Sequence, residues 1–145
     1  GGEVLGPRLL KLCAEFRLYE GDGEGAVRLV EDTLEKLPKE ESAALVDLYI
    51  FLANTHHRMG RVDAGAEVVL RGLKDVKWGT QGAEGLSRMA VAAVDSMMVK
   101  GDSEGARNLV KGLRLNAVEP CLVAMLRTGL VEGGGAAGMD LFEWV

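Results

Sequence analysis

A chain of 145 residues with 48% hydrophobic residues is one domain's worth of sequence with enough apolar surface for a real core, which excludes a disordered polypeptide. Seventeen Lys and Arg against 22 Asp and Glu leave a net charge of −5, which excludes coating of nucleic acid by bulk charge but leaves room for a local basic strip. No run approaches the ~18 apolar residues of a membrane span, and Cys13 and Cys121 sit far apart among apolar neighbours, as core thiols of a reducing compartment do.

In chain order, "PRLLKLCAEFRLYE" repeats apolar residues at three- and four-residue steps and predicts a first helix that Gly21 ends. "AVRLVEDTLEKL" carries a second, and "SAALVDLYIFLANTHHRM" a third that stops at Gly60. In "RMGRVDAGAEVVLRGL" Asp63 is placed to cap a fourth helix, with Ala66, Val68, Val69, Leu70 and Leu73 as its apolar side. "LSRMAVAAVDSMMVK" and "ARNLVKGLRL" form a fifth and sixth, broken at Gly101, and "TGLVEGGGAAGMDLF" brings a further turn at Gly129. No convincing alternating strand pattern interrupts them, so the class is all-α.

The four turns share one pattern: a glycine, two spacers, an acidic residue, then small residues leading into an apolar helix. The anchoring glycines Gly21, Gly60, Gly101 and Gly129 stand 39, 41 and 28 residues apart, near the ~34-residue period of tetratricopeptide units. Glycine reaches the left-handed backbone that ends a helix. The acidic residue falls in the next helix's first turn, where the macrodipole favours it. Ala26, Gly65, Ala106 and Ala136 let the second helix lie close to the first. Residues 1–145 read as a single helical-repeat domain of about four antiparallel helix pairs, stacked into a short superhelix.

Few residues suggest chemistry. His56 and His57 diverge by ~100° on a helix, and with two cysteines, two histidines and no CxxC or HxxxH spacing a metal site is not expected. They read as a helix-end pair, one packed and one solvated, or as His57 with Arg58 facing a ligand on the concave surface. "GGGAAG" at 133–138 matches GxGxxG, but the chain ends before a strand–helix–strand unit could be completed. Glu31–Asp32 and Glu40–Glu41 are solvated helix faces. Neither enzymatic activity nor a cofactor is expected. Trp78 lies in an inter-repeat loop near Lys74 and Lys77, a site for base stacking or a partner. Trp144, in "MDLFEWV", packs on its own unit or contacts a second copy.

The segment "LYIFLANTHHRMGRVDAGAEVVLRGL" resembles a pentatricopeptide-repeat (PPR) unit, and "SRMAVAAVDSMMVKGDSEGARNLVKGL" and "AMLRTGLVEGGGAAGMDLFEWV" are similar to weaker copies. The chain as a whole resembles the short PPR proteins of plant organelles, of the thylakoid-assembly splicing-factor type. That resemblance implies a right-handed α-solenoid and a non-catalytic factor that binds single-stranded RNA in organellar RNA processing, with group II intron splicing as the process. The organelle is the chloroplast, with the mitochondrion as the alternative, and the transit peptide lies outside this sequence. The implied partners are an organellar intron RNA, other splicing factors and a second copy of the chain recruited on RNA, with no membrane. Counting the family pattern back from each turn glycine puts Arg8 and Lys11, His57 and Arg58, and Arg88 and Lys100 on the first helices of successive units, where they would hold phosphates. The fifth residue of those helices, which reads a base in PPR arrays, is Lys11, Ile50, Val91 or Glu119 here. None is Asn, Ser or Thr, so phosphate contacts and stacking are expected to outweigh a base code. The rival reading is a tetratricopeptide-like scaffold that binds a peptide in the concave groove, which the net charge favours.

Overall fold

The computed structural model describes residues 6–78, 84–112 and 121–123. They include the helices α1 (Pro7–Tyr19), α2 (Gly23–Lys36), α3 (Ala43–Arg58), α4 (Val62–Asp75), α5 (Glu84–Lys100) and α6 (Ser103–Lys111), and residues 121–123 are helical as well. Among the described residues, extended backbone pairs only at an isolated bridge between Glu40 and Lys77. The chain is all-α, as its apolar spacing indicates. It divides into two compact units, Gly1–Trp78 and Gly79–Val145. Gly129, the 133–138 glycine run, Glu119, Ala136 and Trp144 fall outside the described residues.

Helix α1 starts at Pro7, whose fixed φ suits the first helical position, and α3 starts at Ser42, whose side chain accepts from the Leu45 N–H. The three described repeat turns are built alike. Gly21, Gly60 and Gly101 have φ of 86, 78 and 92°. At the middle one, the Gly60 N–H donates to the His57 carbonyl at 3.0 Å and the Arg61 N–H to the His56 carbonyl at 2.8 Å. The same pair forms from Gly21 to Leu18 and Asp22 to Arg17, and from Gly101 to Met98 and Asp102 to Met97. These bonds satisfy carbonyls that the ending helix leaves open, and they need a left-handed residue at the glycine.

The residue after each turn glycine is also the N-cap of the next helix. Asp22 accepts from the Gly25 N–H and Asp102 from the Gly105 N–H. The fourth helix departs from the sequence expectation: its N-cap is Arg61, with no side-chain cap bond, and Asp63 lies in its first turn. The tight two-bond turn leaves a single residue between Gly60 and α4, so Asp63 is already inside the helix. There it serves the macrodipole, as Glu24 and Glu104 do.

In the first unit α1 packs on α2, α2 on α3 and α3 on α4, with α1 also against α3. Its core is Leu10, Ala14, Ala26, Val30, Leu34, Leu45, Val46, Leu48, Tyr49, Leu52, Ala53, Ala66, Val68, Val69 and Val76. Leu70 stays exposed and Leu73 half-buried, so the apolar side of α4 is narrower than its sequence implies. Gly65 is a close approach: a Cβ there would stand 3.0 Å from the Ala53 carbonyl oxygen and closer still to the His57 ring. In the second unit α5 packs on α6 around Leu86, Met89, Ala90, Ala93, Val94, Met97, Met98, Ala106 and Val110, with Cys121 fully buried.

Two ion pairs tie α4 to α2 at nearly the repeat distance. Arg61 meets Glu24, 37 positions apart, and Arg71 grips both oxygens of Glu31, 40 apart, at 3.0 and 3.1 Å. The second helices of the two pairs in this unit are thus bridged by ion pairs at corresponding positions.

Candidate functional site

The cations singled out from the sequence all lie on first helices. Arg8 is exposed in the first turn of α1 and Lys11 half-buried one turn on. Arg58 is the exposed last residue of α3, while Arg88 and Lys100 are exposed on α5, in the second unit. Arg8, Asp47 and Arg88 each stand 13 residues before their turn glycine, so an acidic residue holds the register position between the two arginines.

The histidines take other surroundings. His56 is buried at 8% exposure, and its Nδ1 has no hydrogen-bond partner. Burial lowers its pKa, with Glu31 opposing that shift and Arg71 adding to it. His57 is half-buried with its ring against Gly65 of α4, and burial followed by the charge of His56 lowers its pKa too. His56 is thus the packed member of the pair and His57 the more exposed one. Trp78 is half-buried, and its indole N–H donates to the Leu73 carbonyl at 2.9 Å, closing the last turn of α4. Burial first, and Asp95 second, push the Cys121 thiol up to about 11, which makes it unreactive near neutral pH.

Two features escaped the sequence reading. The first is an apolar and aromatic stripe on α1: Leu9, Leu12, Phe16 and Tyr19 are 52, 58, 61 and 88% exposed. At ~100° per residue, Arg8, Leu12, Tyr19 and Phe16 fall within one ~80° sector. The Phe16 and Tyr19 rings stack with centroids 6.5 Å apart. Since Leu10 and Ala14 supply the buried face, α1 is a helix with two apolar faces, one of them in solvent. The signal was present, because Leu9, Leu12, Phe16 and Tyr19 keep helical spacing as well as Leu10 and Ala14 do.

The second feature is a cavity of about 340 Å³ between α2, α3 and α4, lined by Glu31, Asp32, Leu34, Glu35, Lys39, Tyr49, Arg71 and Asp75. Asp32, Glu35 and Asp75 are exposed at its rim, and Tyr49 is 1% exposed. No sequence pattern marks it, because its residues come from three helices and a loop.

Among the described residues no cluster of three His, Cys, Asp or Glu side chains could hold a metal ion, and no helix is long and apolar enough to cross a membrane. No protein-family model matches the chain, and no curated protein matches it at a significant level.

Proposed function

We propose that the protein is a non-catalytic, helical-repeat RNA-binding factor that takes single-stranded RNA on its first helices. The observation that carries this reading is the α1 stripe, where the exposed Phe16–Tyr19 ring pair shares a helix face with Arg8. Unpaired bases stack on exposed aromatic rings, and cations beside them hold the backbone, without any need for a base code. The shared glycine turns and the ion pairs that bridge α2 and α4 at corresponding positions support a right-handed solenoid of about four PPR-like helix pairs. In that setting Arg8, Lys11, Arg58, Arg88 and Lys100 contact phosphates, His57 positions α4 beside them, and Trp78 buttresses the loop. The cellular role is organellar RNA processing, group II intron splicing in the chloroplast foremost, with other splicing factors and a second copy joining on the RNA.

The test is fluorescence anisotropy with labelled single-stranded and duplex RNA across a salt series. Single strands bind more tightly, and log Kd changes with log salt in proportion to the phosphates contacted. Phe16→Leu/Tyr19→Leu weakens binding about tenfold or more, from stacking worth ~1–3 kcal/mol per base, and Arg58→Glu/Arg88→Glu lowers the salt slope. Absence of binding at micromolar protein and low salt refutes the reading.

The second reading, a tetratricopeptide-like scaffold for a peptide in the concave groove, is favoured by the net charge of −5 and by Asp47 at the register position between Arg8 and Arg88. A peptide ligand would leave RNA unbound and would be displaced by mutation of the same first helices.

A further inference from the structure

The cavity between α2, α3 and α4 has four carboxylates and two cations on its walls. Both cations are already engaged. Arg71 grips Glu31 through both carboxylate oxygens, and the Lys39 ammonium donates to the carbonyls of Leu34 and Leu37, closing the end of α2. Asp32, Glu35 and Asp75 have no ion-pair partner among the described residues, and they converge on the opening. An acidic rim alone would be an ordinary solvated surface.

Tyr49 makes it more than that. It lines the cavity from α3 and is 99% covered, with 1% of its surface exposed, yet no hydrogen bond engages its hydroxyl among the described residues. That hydroxyl is not fully enclosed, and Tyr49 is one of the residues that line the cavity. Arg71, Asp75 and Glu31 line the same cavity, and burial first, then their charges, shifts the phenol's pKa, the net effect being to raise it. An unbonded hydroxyl on a cavity wall is free to bond a ligand group. Leu34 and the Tyr49 ring supply apolar wall at the same depth.

We propose that this cavity is a binding site for a lysine or arginine side chain presented by a basic protein segment, with Tyr49 as the internal acceptor. The aliphatic stem lies along Leu34 and the Tyr49 ring, the head group donates to the Tyr49 hydroxyl, and Asp32, Glu35 and Asp75 surround its charge. At about 340 Å³ the space suits one such side chain, being at the small end of ligand-sized pockets. None of Arg8, Lys11, Phe16, Tyr19 or Arg58 lines it, so its lining is distinct from the residues of the RNA surface proposed above, on which it does not depend.

The experiment uses the full chain and a fluorescein-labelled hexa-arginine peptide, read by anisotropy at low salt. Tyr49→Phe removes only the hydroxyl and leaves the urea midpoint unchanged. It weakens the peptide about tenfold, because a hydrogen bond to a charged group is lost. Asp75→Asn/Glu35→Gln weakens it further, while Glu67→Gln, an exposed carboxylate of α4 outside the cavity, has no effect. Single-stranded RNA affinity is unchanged in Tyr49→Phe. Equal loss in the Glu67 and Asp75/Glu35 variants, or indifference to Tyr49→Phe, would mean unspecific attraction to an acidic chain and overturn the proposal. Full displacement of the peptide by spermidine at matched charge would assign the site to a free polyamine instead and overturn it as stated. Absence of peptide binding at low salt would also overturn it.

Discussion

Replacing Gly65 by alanine tests whether α3 and α4 pack as closely as the repeat requires. In an ordinary helix interior the change stabilises by ~0.5–1 kcal/mol, because glycine is the poorer helix former. Here the new methyl would meet the Ala53 carbonyl oxygen at 3.0 Å and come closer still to Cδ2 and Nε2 of His57. The carbonyl contact is tight but is relieved by a shift of a few tenths of an ångström, whereas the half-buried His57 ring is the true obstruction. Overpacking of this kind costs ~1–3 kcal/mol. Taking the upper part of that range and subtracting the propensity gain leaves a net loss of about 2 kcal/mol. The assay is urea unfolding followed by indole fluorescence in a Trp144→Phe background, which leaves Trp78 as the sole reporter and isolates the first unit. His57→Ala removes most of the obstruction, so the same Gly65→Ala change in that background costs less than ~0.5 kcal/mol, and the cycle shows a coupling above ~1 kcal/mol. A Gly65→Ala protein as stable as the parent, or a cost that persists without His57, would refute the packing argument.

Three further outcomes follow from the turns and the buried histidines. Nothing lies within 4 Å of a Cβ built on Gly60, so Gly60→Ala costs only the left-handed backbone, ~1–2 kcal/mol, and Gly60→Asn costs less; equal losses for the two substitutions in urea would show that space, not φ, is limiting. Asp22→Ala removes the cap bond to Gly25 and costs about 1 kcal/mol, whereas Arg61→Ser adds the missing cap to α4 and is neutral or stabilising by the same measurement. His56 and His57 both have lowered pKa values, so the unfolded chain binds more protons than the folded one. Their contribution is fully present above the unfolded pKa of about 6.5. It is lost as pH falls through that value toward the lower folded ones. Urea midpoints taken from about pH 7.5 to 5.5 should decline, and His56→Gln/His57→Gln should flatten that decline; an unchanged slope would remove the histidines as its cause. Glu31, Arg71 and the two rings themselves are the charges acting on this pair.

The turns and helices were legible because each is a local matter of a few residues. Gly21, Gly60 and Gly101 could be read as left-handed, and Ala26, Gly65 and Ala106 as close-packing positions, from spacing alone. The cap at α4 was misplaced by two residues, because the choice between Arg61 and Asp63 depends on how tightly the turn closes. The surroundings of His57 and Trp78 depend on which neighbour crosses them, so sequence left the two readings of each open. The α1 stripe keeps helical spacing, yet spacing alone does not distinguish an apolar residue that faces solvent from one that faces the core. Nothing in its sequence neighbours sets Tyr49 apart from a core aromatic. Only the meeting of Asp75, Glu35 and Arg71 around it distinguishes it, and those residues are 14 to 26 positions away in sequence.

The ion pairs between α2 and α4 bear on both proposed surfaces. Exposed pairs such as Arg61–Glu24 and Arg71–Glu31, whose side chains are roughly half accessible, contribute little stability, ~0–1 kcal/mol each. Their consequence is distribution of charge. They occupy Arg61 and Arg71 with Glu24 and Glu31 of α2, while Arg17 of α1 pairs with Asp22 and Arg8 and Arg58 are exposed on α1 and α3. The first helices proposed to hold RNA and the acidic cavity of the first unit then differ in charge. A polyanion would be steered to the former and a basic segment to the latter. Breaking the clasp with Arg71→Gln would leave Glu31 uncompensated beside Tyr49 and make the cavity more acidic. Hexa-arginine should then bind more tightly and single-stranded RNA about as before, and a fall in both affinities would show that the clasp holds one shared site.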